Sequence, residues 1–454
     1  MGVAAMTIAE VRKRFEAESI RRVKVGAIDI DGVLRGKHIS LEKFFSAAEE
    51  GFGFCDVIFG WDIADALYDN VQCTGWHTGY PDAVARIDLA SYRLIPWEPG
   101  TAFFLLDLED KSGQPHPASP RQLMRRVLHQ VDNLGYSTCL AAEYEFWCFS
   151  ETPQSLREKR FRNLSSLTPG MFGYSVLRAS ENAGLVLDLL EHLAGFDTAL
   201  EGLHTETGPG VYEAAIRMDT GLAAADKAAL FKTAVKEIAA RHSVIPTFMA
   251  KWNAELPGSS GHIHQSLWDA ERRQNLFHGS AEEPFPPAMR HYIAGLVQNM
   301  PDLMVMFCPT VNSYKRTVPG TWAPINATWG VDSRTTAVRA IAGAKKSARV
   351  ELRLCGADIN PYLAMAASLA AGLDGIERQL EPPEPVSNAY DSSSAAPLPR
   401  TLSEAVHAFR HSALARSWFG EAFVEHCAAT REWEVRQYER AVTDWELARY
   451  FEAI

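Results

Sequence analysis

One apolar segment that carries two acidic residues constrains this chain more than any other feature. TCLAAEYEFWCF, from Thr138 to Phe149, is dominated by apolar and aromatic residues and predicts a buried strand. Glu143 and Glu145 stand two residues apart, so in a strand they share one face, roughly 7 Å apart along the backbone. Burial and mutual repulsion raise the pKa of such carboxyls unless a cation lies beside them. The fold must therefore supply a cation or bind one.

Three arrangements satisfy this requirement: a bound metal ion, one proton shared by the two carboxyls, or two basic partners. The spacing alone does not choose among them. Further oxygen or imidazole ligands elsewhere in the chain would favour the metal.

Length, composition and charge narrow the class of protein. The 454 residues, 47% hydrophobic and 22% charged, predict two or more globular domains and exclude wholesale disorder. No apolar run approaches the ~20 residues that span a bilayer, and the N-terminal sequence predicts a charged amphipathic helix and no secretory signal, so we expect a cytoplasmic protein. A net charge of −11 argues against nucleic acid or membrane as the partner and favours a small ligand.

The first 100 residues predict a small mixed domain in which strands dominate. Val23 to Ser40 alternates apolar and polar residues around Asp31-Gly32, which is typical of a β-hairpin, and Leu41 to Glu50 has helical periodicity. Two short strands, at Ala83 to Leu89 and Ser91 to Ile95, follow.

Residues 101–454 predict a second, larger domain in which strands and helices alternate, and we expect an α+β fold with a sheet open to a ligand. Besides Thr138 to Phe149, the predicted strands are Thr101 to Leu108, His262 to Trp268 and Arg349 to Leu354. The predicted helices are Arg121 to Asn133, Leu222 to His242, Pro287 to Met300, Pro361 to Arg378 and the segment after Leu402. Glu381 to Pro399 is rich in Pro and Ser and predicts a surface loop.

Further candidate ligands occur in three segments, each of which has an ordinary structural interpretation when taken alone. HTETGPGVYE is also typical of a surface hairpin, GSSGHIHQSL contains a histidine pair that is commonly structural, and ARVELRL is compatible with a solvated sheet face. Taken together, the candidate ligands are five carboxylates and one imidazole, a set that favours Mg²⁺ or Mn²⁺ over zinc. These residues are Glu143, Glu145, Glu206, Glu213, Glu351 and His262.

Basic residues that grip phosphates and carboxylates accompany these ligands. NSYKRTVPG and DSRTTAVR contribute Lys315, Arg316, Arg334 and Arg339. The sequence has neither a Walker A loop nor a G-x-G-x-x-G helix start, so a nucleotide must be held in another way. Metals together with arginines indicate phosphoryl chemistry.

These segments, in this order, resemble the glutamine synthetase family over nearly the whole chain: AAEYEFWCF, HTETGPGVYE, SSGHIHQSL, NSYKRTVPG, TWGVDSRTTAVR and ARVELRLCGADINPYLAMAASLAAGLDGI. The resemblance implies an N-terminal β-grasp domain and a catalytic domain with a curved antiparallel sheet. It also implies active sites between neighbouring subunits of stacked hexameric rings, commonly dodecamers. ATP would phosphorylate the γ-carboxylate of glutamate, and an amine would then displace phosphate to form an amide.

By position, the resemblance also implies roles for individual residues. One metal would be held by Glu145, Glu206 and Glu213, and the other by Glu143, His262 and Glu351. The amino-acid substrate would meet Arg316, Arg353 and the backbone of Gly258. The ATP site would include His264, Ser266, Arg334, Arg339 and Arg349. Catalytic roles would fall to Asp56, Arg316 and Arg339.

At a few positions the sequence departs from the family pattern. These departures predict which amine the protein uses as the nucleophile. Trp322 stands where ammonia-using members carry a glutamate, and Met171 stands where they carry the tyrosine of the ammonium pocket. In the loop expected from the neighbouring subunit, Asp56 matches the acidic residue and Phe59 stands in place of a serine, with Asp62 as the alternative substitute. Without each such charge-assisted hydrogen bond, ammonium binds less favourably by about 1.5–3 kcal/mol, whereas large apolar side chains favour an organic amine.

We therefore expect a γ-glutamylamide synthetase that uses a polyamine, ethanolamine or an alkylamine. The Trp-Ala-Pro pattern at Trp322 is similar to that of γ-glutamylpolyamine synthetases. The alternatives are a glutamine synthetase that uses ammonium, a phosphagen-type kinase and a non-catalytic assembly protein. Tyr390 stands where some bacterial members are adenylylated, but a tyrosine in a loop is far more often unmodified.

Overall fold

Two β-sheets with helices packed against them make up the protein. The computed structural model describes residues 6–391 and 395–454, so residues 1–5 of the predicted N-terminal helix segment and 392–394 of the predicted loop lie outside it. The mixed α+β class is confirmed. No helix in the described ranges combines the length and the apolar character needed to cross a bilayer.

The first sheet is built around the predicted hairpin. Its strands are β1 (Arg22–Ile28), β2 (Leu34–Ile39), β3 (Phe52–Cys55), β4 (Asp82–Ile87), β5 (Arg93–Leu94) and β6 (Thr101–Glu109), in the order β2-β1-β6-β4-β3 with β5 beside β6. Two helices accompany it, α1 (Ile8–Ala17) and α2 (Leu41–Glu50). β1 runs parallel to β6, and every other pair is antiparallel.

The position of β6 corrects the expected boundary at residue 100. This strand is the centre of the first sheet, hydrogen-bonded to β1 and β4, and does not begin the second domain. Phe104 and Leu106 pack into the core of the first sheet, while Phe103 and Leu105 on the opposite face join the larger core. A boundary must therefore follow Glu109. The division into two domains and the β-grasp assignment remain predictions. In both, β6 now belongs to the first domain.

The second sheet carries the acidic segment. Its strands are β7 (Tyr136–Phe149), β8 (Leu200–Thr205), β9 (Val211–Ile216), β10 (Asp219–Thr220), β11 (Ile245–Thr247), β12 (Gly261–Asp269), β13 (Trp329–Val331), β14 (Val338–Ile341) and β15 (Arg349–Leu352). The main path is β13-β14-β15-β12-β7-β9-β8, and β10 and β11 also pair with β7. The expected antiparallel pairing is found except between β13 and β14, which run parallel.

Some of the remaining helices pack against this sheet, and the last four form the C-terminal segment. They are α3 (Pro120–Asn133), α4 (Pro153–Glu158), α5 (Val176–Glu181), α6 (Ala183–Gly195), α7 (Gly221–Arg241), α8 (Pro287–Phe307), α9 (Pro361–Glu377), α10 (Leu402–His411), α11 (Ala413–Phe419), α12 (Glu421–Arg440) and α13 (Asp444–Tyr450). α8 continues through Pro301, seven residues beyond the predicted end at Met300. Its last turns are buried, and this packing outweighs the hydrogen bond that proline removes.

A buried arginine joins the first sheet to the larger part of the molecule. Arg121 on α3 is 2% exposed and donates to Asp107 (2.8 Å) and Asp88 (2.6 Å) of the first sheet region. It also forms a two-point contact with Asp226 on α7 at 2.9 and 2.8 Å. The hydroxyl of Tyr362 donates to the same Asp226 carboxylate at 2.6 Å. One guanidinium thus neutralises three carboxylates from different elements.

Replacing this arginine should destabilise the fold severely. We expect Arg121→Met to lower the free energy of unfolding by about 3–5 kcal/mol, because the carboxylates stay buried without their cation. Urea denaturation measures this decrease. Arg125→Met is the matched control: Arg125 contacts Asp88 and Asp107 from a half-exposed position one turn on, and its replacement should cost less than about 1 kcal/mol. Equal effects of the two substitutions would contradict the role given to Arg121.

Two buried histidines lie where the first sheet meets α12. His116 stacks on Phe59 at 4.6 Å, and its Nδ1 accepts the backbone N–H of Ala118 at 3.3 Å, which requires a neutral ring. Neither ring nitrogen of His426 has a hydrogen-bond partner among the described residues. Burial lowers the pKa of His116 to about 4 and, together with the charges of His116 and Arg431, lowers that of His426 to about 3.

These depressed pKa values predict sensitivity to acid. As the pH falls through 6.5, the unfolded chain takes up a proton at each histidine and the folded chain does not. The free energy of unfolding is therefore highest above pH 6.5 and decreases as the pH is lowered further. Between pH 6.5 and 5 each histidine should cost up to about 2 kcal/mol. Urea midpoints measured across this range should fall less steeply in His426→Leu than in the wild type. Parallel curves for the two proteins would show that His426 is not involved.

Candidate active site

The two acidic residues of the central strand share one face, as predicted. Glu143 and Glu145 are partly exposed, while Tyr144 and Phe146 between and beyond them point into the core and pack against Phe231 of α7. In this part of β7, one face is therefore buried, and the other is lined by charged groups from the neighbouring strands.

One cluster forms where β7, β12 and β15 lie side by side. Strand register places Glu143 opposite His262, and His264 opposite Glu351. Glu143 lies 3.3 Å from His262 Nδ1 and 3.3 Å from His264 Nε2, and His262 Nδ1 lies 3.5 Å from Glu351. Single ligand atoms of Glu143, His264 and Glu351 lie within 4.8 Å of one another. The structure therefore brings the three expected ligands together and adds His264, which the family resemblance places toward ATP.

A second cluster forms one strand further along the same sheet. Glu213 on β9 stands opposite both Glu145 and His204. His204 Nε2 lies 3.3 Å from Glu206 and 3.5 Å from Glu213, and ligand atoms of these three residues lie within 4.8 Å of one another. Glu145 accepts the backbone N–H of Ser260 at 2.8 Å and lies outside this group of three.

The electrostatics of the two clusters differ. Burial raises the pKa of Glu213 to about 10, with repulsion from Glu143, Glu145 and Glu206 adding to it. Burial opposes ionisation of Glu143 as well, but hydrogen bonds with His262 and His264 hold its pKa well below its usual range. Without a further cation, the crowded acids around Glu213 can remain together only by retaining a proton.

These observations fit divalent cations. The donor set is carboxylate oxygen with imidazole nitrogen, and burial lowers the pKa of His262, which keeps the ring neutral and able to act as a ligand. Nε2 of His262 is buried with no partner among the described residues. A cation would also remove the repulsion around Glu213.

Arginines border the first cluster. Arg339 donates to Glu351 at 2.9 Å, Arg353 contacts the same carboxylate, and Arg349 donates to His264 at 3.1 Å. Arg334 is exposed, and its carbonyl accepts from Arg353 Nε at 3.0 Å. Three arginines therefore contact the first cluster through their side chains, and Arg334 adjoins it through its backbone.

The residues expected to contact the amino-acid substrate lie next to the first cluster. Arg316 is buried and donates to Leu354 O and Ser260 Oγ, both at 3.0 Å. A Cβ on Gly258 would come within 2.7 Å of the Arg316 side chain, so only glycine allows this approach. Ser266 is buried on β12, and its hydroxyl accepts from Trp268 Nε1 at 3.0 Å.

Comparison with known proteins shows the family to which the chain belongs. Residues 117–450 match the family model for the glutamine synthetase catalytic domain. The chain belongs to the glutamine synthetase family. It is 46% identical over 441 residues to type-1 glutamine synthetase 2 of Dictyostelium discoideum, covering 95% of this chain and 84% of that one. It is 40% identical over 451 residues to the glutamate–isopropylamine ligase of a Pseudomonas species, covering 98% of both. A solved GmaS/ADP complex superposes with a TM-score of 0.85 at 28% identity, covering 98% of this chain and 99% of that chain.

Two residues that were expected at the amine site lie in exposed loops. Trp322 is 66% exposed with a φ of +61°, in the loop that follows Arg316. Tyr390 donates its phenol to Ala323 O at 3.1 Å, so its hydroxyl is already engaged next to Trp322. Met171 is 52% exposed in a loop held to the end of β8, where Thr205 Oγ1 donates to Phe172 O at 3.0 Å.

The two residues expected from a neighbouring subunit differ in their surroundings. Phe59 is fully buried against His116 in its own chain, so the expectation that it offers surface to an amine is wrong. Asp56 is 4% exposed and accepts from Thr74 Oγ1 at 2.7 Å. Burial raises its pKa, and hydrogen bonding to Thr74 works in the opposite direction. A catalytic role for Asp56 remains a prediction.

Two residues of the second cluster were not predicted from the sequence. His204 stands at the start of HTETGPGVYE, and its spacing of two from Glu206 is the signal that could have placed both on one strand face. Tyr174 stacks on His204 with ring centroids 4.3 Å apart, and its phenol interacts with Glu206. Tyr174 lies in an irregular loop, where spacing gives no signal.

Removing one acid from the second cluster should have different effects on the stability of the ion-free protein and on its stabilisation by divalent ions. We expect Glu213→Gln to be at least as stable as the wild type without divalent ions, because a neutral amide removes the cost of holding a proton on this buried carboxyl at neutral pH, but to gain less from Mg²⁺ or Mn²⁺. For the wild type, an ion at one hundred times its dissociation constant adds about 2.7 kcal/mol. Thermal unfolding with and without the ion measures both effects. Glu191→Gln, an exposed site on α6, is the control, and an unchanged ion response in Glu213→Gln would argue against a cation there.

Proposed function

We propose that this protein is an ATP-dependent ligase that joins the γ-carboxylate of glutamate to an organic amine through a γ-glutamyl phosphate. The observation that carries the proposal is the row of two ligand clusters and their arginines on one sheet face, together with large apolar residues in exposed loops. The similarity to a glutamate–isopropylamine ligase over 98% of both chains supports it.

We assign the metal ligands in two groups. Glu143, His262 and Glu351 would hold one Mg²⁺ or Mn²⁺, with His264 also within reach, and Glu145, Glu206 and Glu213 the other, with His204 beside them. Bound there, the ions would neutralise the triphosphate and the attacking carboxylate.

The arginines supply the remaining positive charge. Arg334, Arg339 and Arg349 would bind ATP phosphates at the edge of the first cluster, where Arg339 is already fixed by Glu351 and Asp332. His264 and Ser266 would lie toward the nucleotide. Arg316 and Arg353, with the backbone of Gly258, would orient glutamate. A γ-carboxylate oxygen then attacks the γ-phosphorus and ADP leaves, a step that requires this positive charge because both reactants are anions.

The second step forms the amide. The neutral amine nitrogen attacks the γ-carbonyl carbon, the C–O bond to phosphate breaks, and the nitrogen releases a proton. Asp56 of a neighbouring subunit would accept this proton, because the carboxylates of the second cluster are engaged as metal ligands. The dodecamer and the cytoplasmic location remain proposals that follow from the family resemblance.

Phosphate release from ATP tests the function. With glutamate, Mg²⁺ and a panel of amines, we expect organic amines to support release at concentrations at which ammonium does not. Release with ammonium alone would instead identify a glutamine synthetase, as the name of the Dictyostelium relative suggests. No release with any amine, despite bound ATP, would indicate a non-catalytic protein.

A variant in the loop after Arg316 provides the matched comparison. Trp322→Glu restores the carboxylate that ammonia-using members carry, and we expect the ratio of ammonium to organic-amine activity to rise at least tenfold, the equivalent of one charge-assisted hydrogen bond. An unchanged ratio would remove Trp322 from the amine site.

A further inference from the structure

An apolar groove opens beside the second cluster. It lies between α5, the first half of α6 and the edge strand β8, and its volume is about 470 Å³, within the range of small-molecule sites. The apolar side chains that line it are Val176, Ala179, Ala183, Val186, Leu187 and Leu203. Val176 is 79% exposed and Leu187 53% exposed, an unusual amount of apolar surface for side chains that face one hollow.

The groove is continuous with the candidate active site through two shared side chains. Tyr174 and His204 line the groove, the two rings stack on each other at 4.3 Å, and His204 Nε2 lies 3.3 Å from Glu206. Tyr174 is held there by its backbone N–H, which donates to Thr205 O at 2.6 Å. A ligand that fills the groove therefore has one end beside the carboxylates of the second cluster.

The chemistry of the lining limits what can occupy it. Within the described part of the chain, the lining contains no Asp, Glu, Lys or Arg. Arg178 and Asp188 on the same helices already have partners: Arg178 contacts Glu181, and Asp188 contacts His242. A second ammonium group would lose its hydration here without gaining a carboxylate.

We infer that this groove receives the organic substituent of the amine, and that the substrate is a primary monoamine with an apolar alkyl or aryl group. The inference rests on the proposed ligase function. It narrows the amines expected from the sequence, because a polyamine carries charge along its length and the two carbons of ethanolamine are too few to cover the apolar lining. The hydroxyls of Ser175, Ser180 and Thr205 lie at the border of that lining.

A series of straight-chain amines tests the inference. From methylamine to butylamine, kcat/KM should rise about fourfold for each methylene that leaves water. Putrescine, which is butylamine with a second amino group, should be at least tenfold poorer than butylamine. A flat series, or a preference for putrescine, would overturn the proposal while leaving the ligase function standing. If no amine supports phosphate release, the proposed function itself has failed.

A groove-filling variant locates the effect. Ala183→Phe should reduce the ratio of butylamine to methylamine kcat/KM by at least tenfold, because the new ring occupies the space of the substituent. Ala194→Phe adds the same ring to an exposed position of α6 outside the groove and should keep the wild-type ratio. Equal ratios in the two variants would overturn the assignment.

Size-exclusion chromatography of the same variants distinguishes the rival occupant, a second copy of this chain. If the groove binds the amine, Ala183→Phe and the wild type should elute at the same volume. Dissociation of the oligomer in Ala183→Phe, with an unchanged amine ratio in the remaining active protein, would show that the groove is a subunit interface and refute its role as an amine site.

Discussion

Mutual repulsion among carboxylates on one sheet face is the constraint on which this site depends. Glu143, Glu145 and Glu213 occupy neighbouring positions of β7 and β9, and burial together with this repulsion raises the pKa of Glu213 to about 10. Around Glu143, in contrast, two histidines serve as partners. The same sheet thus presents one cluster in which histidines offset the charge of Glu143 and a second in which His204 lies beside Glu206 and Glu213 but the pKa of Glu213 stays raised. A site that holds a triphosphate beside a carboxylate needs cations, and uncompensated acids provide the affinity for them.

Much of this arrangement could be predicted from the sequence because strands have a period of two. Glu143 and Glu145, and likewise His262 and His264, had to share a face once their segments were assigned as strands. Antiparallel register then set Glu143 opposite His262. Register is a tertiary property that no single segment contains, so neither the position of His264 within the ligand group nor the place of Glu145 outside the group of three could be predicted.

Other features escaped prediction because the sequence has no local signal for them. The sequence of Thr101–Glu109 predicts a strand but does not show to which sheet it belongs. Its pairing with β1 and β4 assigns it to the first sheet. Phe59 departs from the family pattern, which suggested a substrate contact, but its partner His116 lies 57 residues away and buries it. Pro301 ordinarily ends a helix, yet the buried turns after it hold α8 together. In each case a long-range contact outweighs a local preference.

The division between strands and loops explains how one scaffold can serve different amines. Charged groups stand on β7, β9, β12 and β15, where register fixes them. The residues that would face the nucleophile, Trp322, Met171 and Tyr174, lie in loops held by a few hydrogen bonds to Tyr390 and Thr205. Under the proposed function, substitutions at Trp322 and Met171 would alter the shape and polarity offered to an amine without touching a ligand of the clusters. Tyr174 is the exception, because its ring stacks on His204 of the second cluster. Phosphoryl transfer and amine choice would then depend on largely different parts of the structure, which meet at Tyr174.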